Sequence, residues 1–191
     1  MFAFTKGFSA FTKGGVRYSH SHSTIKPLLV YTDGSYIESV KKGGMGIYFP
    51  NNEFTSLSIP YVNPVPPTNQ RCELLAIKYA LIIHAQYFSS KPLHLYTDSK
   101  YAIECLTMYN NLWTKNGWLK TNGQSVKNQD LLKPMVSHLC EVTNVQFNHV
   151  KAHTNSWDIH SLNNNVADAY ARRGVIAKAP VSVYGISFDN S

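Results

Sequence analysis

Acidic side chains are scarce in this sequence. Asp and Glu together number 11 in 191 residues, against 18 Lys and Arg, and charged residues of both signs make up only 15%, where about a quarter is usual. Cysteine is rare as well. Cys72, Cys105 and Cys140 are an odd number, widely spaced and without a CxxC pair, which argues against a disulfide framework or a structural zinc site and for a reducing, intracellular setting. No apolar run approaches the roughly 18 to 20 residues of a membrane span, and the N-terminus lacks the compact apolar core of a secretory signal.

What is present suits one globular domain. With 43% hydrophobic and 13% aromatic residues, the chain can bury a substantial core, and a second full domain would not fit comfortably. The net charge of +7 favours a polyanionic partner, nucleic acid or an anionic membrane surface, because both reward Lys and Arg electrostatically. Residues 1–26 hold Lys6, Lys13, Arg17 and Lys26, scattered Phe, and no acidic residue. That composition fits an organelle transit peptide or a disordered basic tail. Residues 27–176 are expected to form the domain and 177–191 a C-terminal tail.

From Pro27 the pattern turns β-rich. "LLVYTDGS", "GGMGIYFP" and "EFTSLSIPYV" read as three strands of an antiparallel meander, the first ending in a turn signal. After "VNPVPPT" breaks regular structure, Leu74, Ile77, Leu81, Ala85 and Phe88 recur at helical spacing, predicting a long amphipathic helix from Asn69. "PLHLYT" is a strand, "DSKYAIECLTMY" a helix opened by an Asp–Ser cap, and "NQDLLKPMVSHLCEV" a helical stretch containing Pro134. "VQFNHV" is a last strand, and the final helix is expected around residues 164–173. The order βββαβα…αβα indicates an α/β fold with a mixed sheet covered by helices.

Against this scarcity, the placement of four carboxylates is informative. "YTDGS" and "YTDSK" put Asp33 and Asp98 at or near strand ends, Glu73 lies in the first turn of a helix, and Asp168 lies on the last helix. Taken singly, each has an ordinary structural reading as turn former, cap, dipole partner or solvated helix residue. Taken together, they suggest a convergent group. Clustered carboxylates repel one another unless hard cations neutralise them, which predicts oxygen-ligated Mg²⁺ or Mn²⁺. Two such ions can activate a water and stabilise the leaving oxygen of a phosphodiester.

Read in order, "YTDGS", "TNQRCELLAIKYAL", "LYTDSKYAIECL", "KNGW", "VKAH" and "NNNVADAYARRG" resemble the type 1 ribonuclease H family over residues 28–174. The resemblance implies a ribonuclease H-like fold, a five-stranded mixed sheet flanked by helices. It also implies hydrolysis of the RNA strand of RNA/DNA hybrids by a two-metal-ion mechanism, leaving 5′-phosphate and 3′-hydroxyl ends. Asp33, Glu73, Asp98 and Asp168 match the family's metal-binding positions, with two Mg²⁺ ions expected and Mn²⁺ as a substitute.

"VKAH" makes His153 the match for a mobile histidine that serves proton traffic or product release, a task suited to an imidazole titrating near neutrality. The segment between His153 and Asp168 is longer than in common family members, so His160 competes for the role. Reading a 2′-hydroxyl falls by resemblance to Asn69 and Gln70, with Gly34 and Ser35 approaching from the first strand. Thr68 and Asn128 match parts of a DNA-phosphate pocket whose expected arginine is replaced by Pro66. "LWTKNGWLKTNGQSVKN" interleaves Trp113 and Trp118 with Lys115, Lys120 and Lys127, suited to sugar stacking and phosphate contacts. Trp113 is the better contact candidate, and Trp118 reads equally well as core.

The expected partner is therefore an RNA/DNA hybrid, with no membrane and monomeric action. Two other readings are a catalytically silent hybrid-binding module and a piece of a reverse transcriptase or transposase-type relative. The first is disfavoured because all four acidic positions are filled. The "NQRCELLAI" phrase favours a cellular type over the second. A mitochondrial or a nuclear/cytoplasmic address and a viral origin are all open.

Overall fold

The computed structural model describes residues 25–142, 144–151 and 157–177. Five strands form one sheet in the order β3-β2-β1-β4-β5, with β1 Leu28–Ile37, β2 Lys42–Tyr48, β3 Leu57–Pro60, β4 Leu93–Thr97 and β5 Val145–His149. The meander is antiparallel, while β4 and β5 run parallel to β1. The sheet is thus mixed, as expected. The helices are α1 Asn69–Tyr87, α2 Lys100–Thr107, α3 Asn110–Lys115, α4 Gln129–Glu141 and α5 Ile159–Ile176.

Strand alternation assigns the two faces. Leu28 and Val30 of β1, Met45 and Ile47 of β2 and Leu93 and Leu95 of β4 are fully buried and share one core cluster with Leu74, Ile77 and Leu81 of α1. The alternate residues of β1, Tyr31 and Asp33, face α5. On that side the floor of β2 is glycine: a Cβ on Gly46 would collide with the backbone of Ala167 and Ala171. The missing side chain lets α5 lie directly against the sheet, which fixes the height at which Asp168 is presented.

Several expectations need correction. Strand β3 is confined to Leu57–Pro60, shorter than "EFTSLSIPYV" suggested, because Phe54 instead turns inward to pack with Phe49 and Phe88. Helix α1 buries far more than one stripe, from Arg71 through His84, since it is covered by the sheet on one side and by α2 and α4 on another. The short α3 was not foreseen. Helix α5 begins at Ile159 rather than near Asn164, because Asp158 accepts hydrogen bonds from the backbone N–H groups of His160 and Ser161, an N-cap that the run of Asn residues concealed.

Candidate active site

The two "YTD" phrases lie side by side. Parallel pairing of β1 with β4 runs from Leu28–Leu93 to Tyr31–Tyr96 and stops two residues before Asp33 and Asp98. Those two tyrosine rings stack at 4.7 Å and 16°. Asp98 follows the last residue of β4, ahead of Ser99, whose side chain caps α2 by accepting from the Ala102 N–H. Asp33, however, is in mid-strand, since β1 continues to Ile37. The "DG" phrase is not a turn: a Cβ on Gly34 would strike the backbone of Cys72 and Glu73. Glycine is required here so that α1 can cross against β1 at Cys72–Glu73, which puts Glu73 just beyond the first turn of α1 rather than in it, beside Asp33.

Asp33, Glu73, Asp98 and Asp168 all line one cavity of about 310 Å³, together with Gly34, Ser35, Tyr36, Asn69, Asn164, Asn165 and Arg172. Four different elements or their ends thus supply one carboxylate each. Three of the four carboxylates have a side-chain donor. Asn69 Nδ2 donates to Glu73 Oε1 at 2.8 Å and Ser99 Oγ to Glu73 Oε2 at 2.5 Å. Arg172 pairs with Asp168 one turn away at 2.8 Å, and Asn164 Nδ2 reaches Asp98 Oδ2 at 3.5 Å.

The electrostatics are those of crowded anions. Burial, and then the charges of Asp98, Asp168 and Glu73, push the Asp33 carboxyl up to about 8. Burial also raises Glu73, with Asp98 adding to it and the Ser99 hydrogen bond opposing it. A buried oxygen-rich cavity that forces a proton onto one of its own carboxylates suits a hard divalent cation. Among the described residues, no three Asp, Glu, His or Cys side chains are already gathered around a single point as a finished metal cage would be.

The remaining sequence-derived residues divide. Gly34, Ser35 and Asn69 line the cavity, whereas Gln70 is exposed and outside its lining. Thr68 accepts the Arg71 N–H as the α1 cap. Asn128 has φ 58°, accepts from Arg71 at 3.3 Å and donates to the Tyr101 hydroxyl at 3.0 Å. Around them Arg71, only 3% exposed, bridges Asp130, Tyr61 and Asn63. Thr68 and Asn128 thus also have structural partners, Thr68 as the α1 cap and Asn128 between Arg71 and Tyr101.

Trp113 and Trp118 are both half-buried against the core, so the structure does not separate them as expected. Trp113 stacks on Tyr109 at 5.4 Å, and Lys133 lies over the Trp118 ring. His153 lies outside the described residues. His160 is not a loop histidine: it sits in the first turn of α5, bonds the Tyr31 hydroxyl through Nδ1 at 2.8 Å and stacks on Tyr96 at 4.5 Å. It is absent from the carboxylate cavity's lining. Sequence reasoning missed Asn164 and Arg172, although both stand one helical turn from Asp168, the spacing that places side chains on one face.

A mixed five-stranded sheet whose parallel and antiparallel halves meet beside four carboxylates defines an α/β domain with an acidic cavity at the edge of its central strands. The chain belongs to the ribonuclease H family: the RNase H family model matches residues 26–176. It is accordingly a ribonuclease H-type enzyme, as the resemblance in the sequence implied. Ribonuclease H of Schizosaccharomyces pombe is 37% identical over 149 residues, 76% of this chain and 52% of that protein, so the chain spans about half the length of that relative. Ribonuclease H of Rickettsia canadensis is 31% identical over 153 residues, covering 80% of this chain and 92% of the relative. Among solved structures, the PFV RNase H domain superposes with a TM-score of 0.63 at 28% identity, covering 78% of this chain and 93% of that one.

Proposed function

We propose that this chain hydrolyses the RNA strand of RNA/DNA hybrids, and the observation that carries the proposal is the convergence of Asp33, Glu73, Asp98 and Asp168 on one buried cavity. These four carboxylates would hold the divalent cations, Mg²⁺ or Mn²⁺ and two in number. Such cations supply charge neutralisation and Lewis-acid polarisation at the phosphodiester. The protein's own groups do the rest. Asn69 and Ser99 fix the Glu73 carboxylate, Arg172 fixes Asp168, and Gly34 and Ser35 present a low floor beside them on which a sugar–phosphate backbone can settle. Water attacks phosphorus, the bond to the 3′-oxygen breaks, and 5′-phosphate and 3′-hydroxyl ends result.

Proton traffic falls to His153. His160 is committed to Tyr31 and Tyr96 and serves packing. Discrimination for RNA falls to Asn69 and Ser35, which line the cavity, and to the exposed Gln70 next to Asn69, since a 2′-hydroxyl can be both donor and acceptor. Lys115 and Lys127, both exposed, flank the two tryptophans and add the sequence-independent phosphate attraction. The enzyme acts as a monomer. The test is cleavage of an end-labelled hybrid with Mg²⁺, beside RNA/RNA and DNA/DNA duplexes, by the wild type and Asp98→Asn. Cutting of only the hybrid's RNA strand, lost in the variant and with chelator, is expected. Retained hybrid binding without cutting, or equal cutting of all three substrates, would overturn the proposal.

A further inference from the structure

Asn164 is 3% exposed, lines the carboxylate cavity and stands one turn before Asp168 on α5. Its Nδ2 points at Asp98 Oδ2 across 3.5 Å, the outer limit of a hydrogen bond. Its Oδ1 is buried and without a hydrogen-bond partner. The opposite amide orientation would set an acceptor against the Asp98 carboxylate, so the donor must face it. A buried amide oxygen without a partner is costly. An asparagine with such an oxygen at this site is hard to account for as packing, since Ala, Ser or Leu would avoid the cost.

The Asp98 carboxylate has weaker side-chain support than that of Glu73 or Asp168. It lies beyond the last residue of β4, where pairing with β1 has ended, and Asn164 supplies the one side-chain hydrogen bond recorded to its carboxylate among the described residues. Glu73, by contrast, has both Asn69 and Ser99, and Asp168 has both donors of Arg172.

Resting on the ribonuclease reading, we propose that Asn164 is the positioning residue for Asp98. Its amide N–H turns the Asp98 carboxylate into the cavity. Asn164 raises cation affinity without adding a fifth charge to the cluster. Groups that orient metal-binding carboxylates in this way typically matter by about 10- to 100-fold in affinity.

Binding of Mn²⁺ to the full chain, followed by electron paramagnetic resonance, reads this directly. Asn164→Ala is expected to weaken Mn²⁺ binding by about tenfold. It should lower kcat at limiting Mg²⁺, recover with excess Mg²⁺, and leave KM for the hybrid within about twofold. A merely structural role would lower Tm while the folded protein bound Mn²⁺ as tightly as the wild type, and that result would overturn the proposal. Should Asn164→Ala not fold, the nearly isosteric Asn164→Asp serves. It sets a fifth carboxylate against Asp98, so the metal-free protein should lose stability and regain it with Mg²⁺; a loss that Mg²⁺ leaves untouched would refute the role. If the wild type binds Mn²⁺ yet cuts no hybrid, the ribonuclease reading fails, while the Mn²⁺ titration still decides the role of Asn164.

Discussion

Replacing Asp33 by asparagine should make the metal-free protein more stable at neutral pH. In the folded chain the Asp33 carboxyl is lifted from 3.8 to about 8, by burial first and then by Asp98, Asp168 and Glu73. Folding at pH 7 must therefore take up a proton that the unfolded chain has released. At about 1.4 kcal/mol per pH unit, the interval from an ordinary carboxyl to pH 7 sets a ceiling of about 4 kcal/mol on the cost. Because the folded value lies above the unfolded one, the group's stabilising contribution is complete below about pH 4 and is lost as pH rises through about 8. Asparagine fills the same space without ionising, and its amide donors face carboxylate acceptors.

The expected gain for Asp33→Asn is about 2–4 kcal/mol at pH 7.5, or roughly 5–15 °C in Tm, and close to nothing at pH 4. Urea unfolding in chelator, followed by circular dichroism at pH 4, 5.5, 7 and 8, measures the difference between the two proteins. Saturating Mg²⁺ should narrow it by stabilising the wild type selectively. An equal gain at pH 4 and pH 7.5, or a variant less stable at pH 7.5, would show that charge crowding is not what strains this cavity.

Other perturbations separate packing from chemistry. Gly34→Ala should cost about 3 kcal/mol or abolish folding, because the added methyl meets α1 backbone rather than a yielding side chain; thermal unfolding reads this, and a wild-type Tm would contradict the close crossing. Arg71→Met should lower stability by about 2–4 kcal/mol, since it leaves Asp130, Asn63 and Asn128 without their shared donor; a neutral result in urea unfolding would show the network to be dispensable. His153→Ala should slow turnover roughly a hundredfold with stability kept. His160→Ala should do the reverse, costing about 1–2 kcal/mol through the lost aromatic stack with turnover nearly intact, and the opposite pattern in single-turnover kinetics would return the catalytic role to His160.

Much of this architecture was legible before any coordinates. Strand alternation, the 3.6-residue spacing in α1 and the Asp–Ser cap of α2 are local signals, each set by a few neighbouring residues, and the order of elements then restricted the fold to a mixed sheet with helices. The four acidic positions were legible for a different reason: with so few carboxylates in the chain, their placement among the predicted strands and helices stood out, although Asp33 lies in mid-strand, and the ordered phrases around them pointed to the family. The N-cap by Asp158 was legible in principle but hidden by polar neighbours with the same appearance.

What the chain could not disclose alone is whatever depends on two distant segments meeting. "DG" at Asp33–Gly34 looks like a turn until α1 is seen crossing it, and the glycines of β2 look flexible until α5 is seen resting on them. Thr68 and Asn128 show their structural partners only once α1 and Arg71 are seen beside them, and His160 looks like a loop base until Tyr31 and Tyr96 enclose it. Sequence by itself determined most of the elements, though not the short α3, and which carboxylates are available, because those follow from local periodicity and residue chemistry. Only the tertiary structure decided which donor serves which carboxylate, and that Asn164 stands at Asp98, because those contacts join residues far apart in the chain.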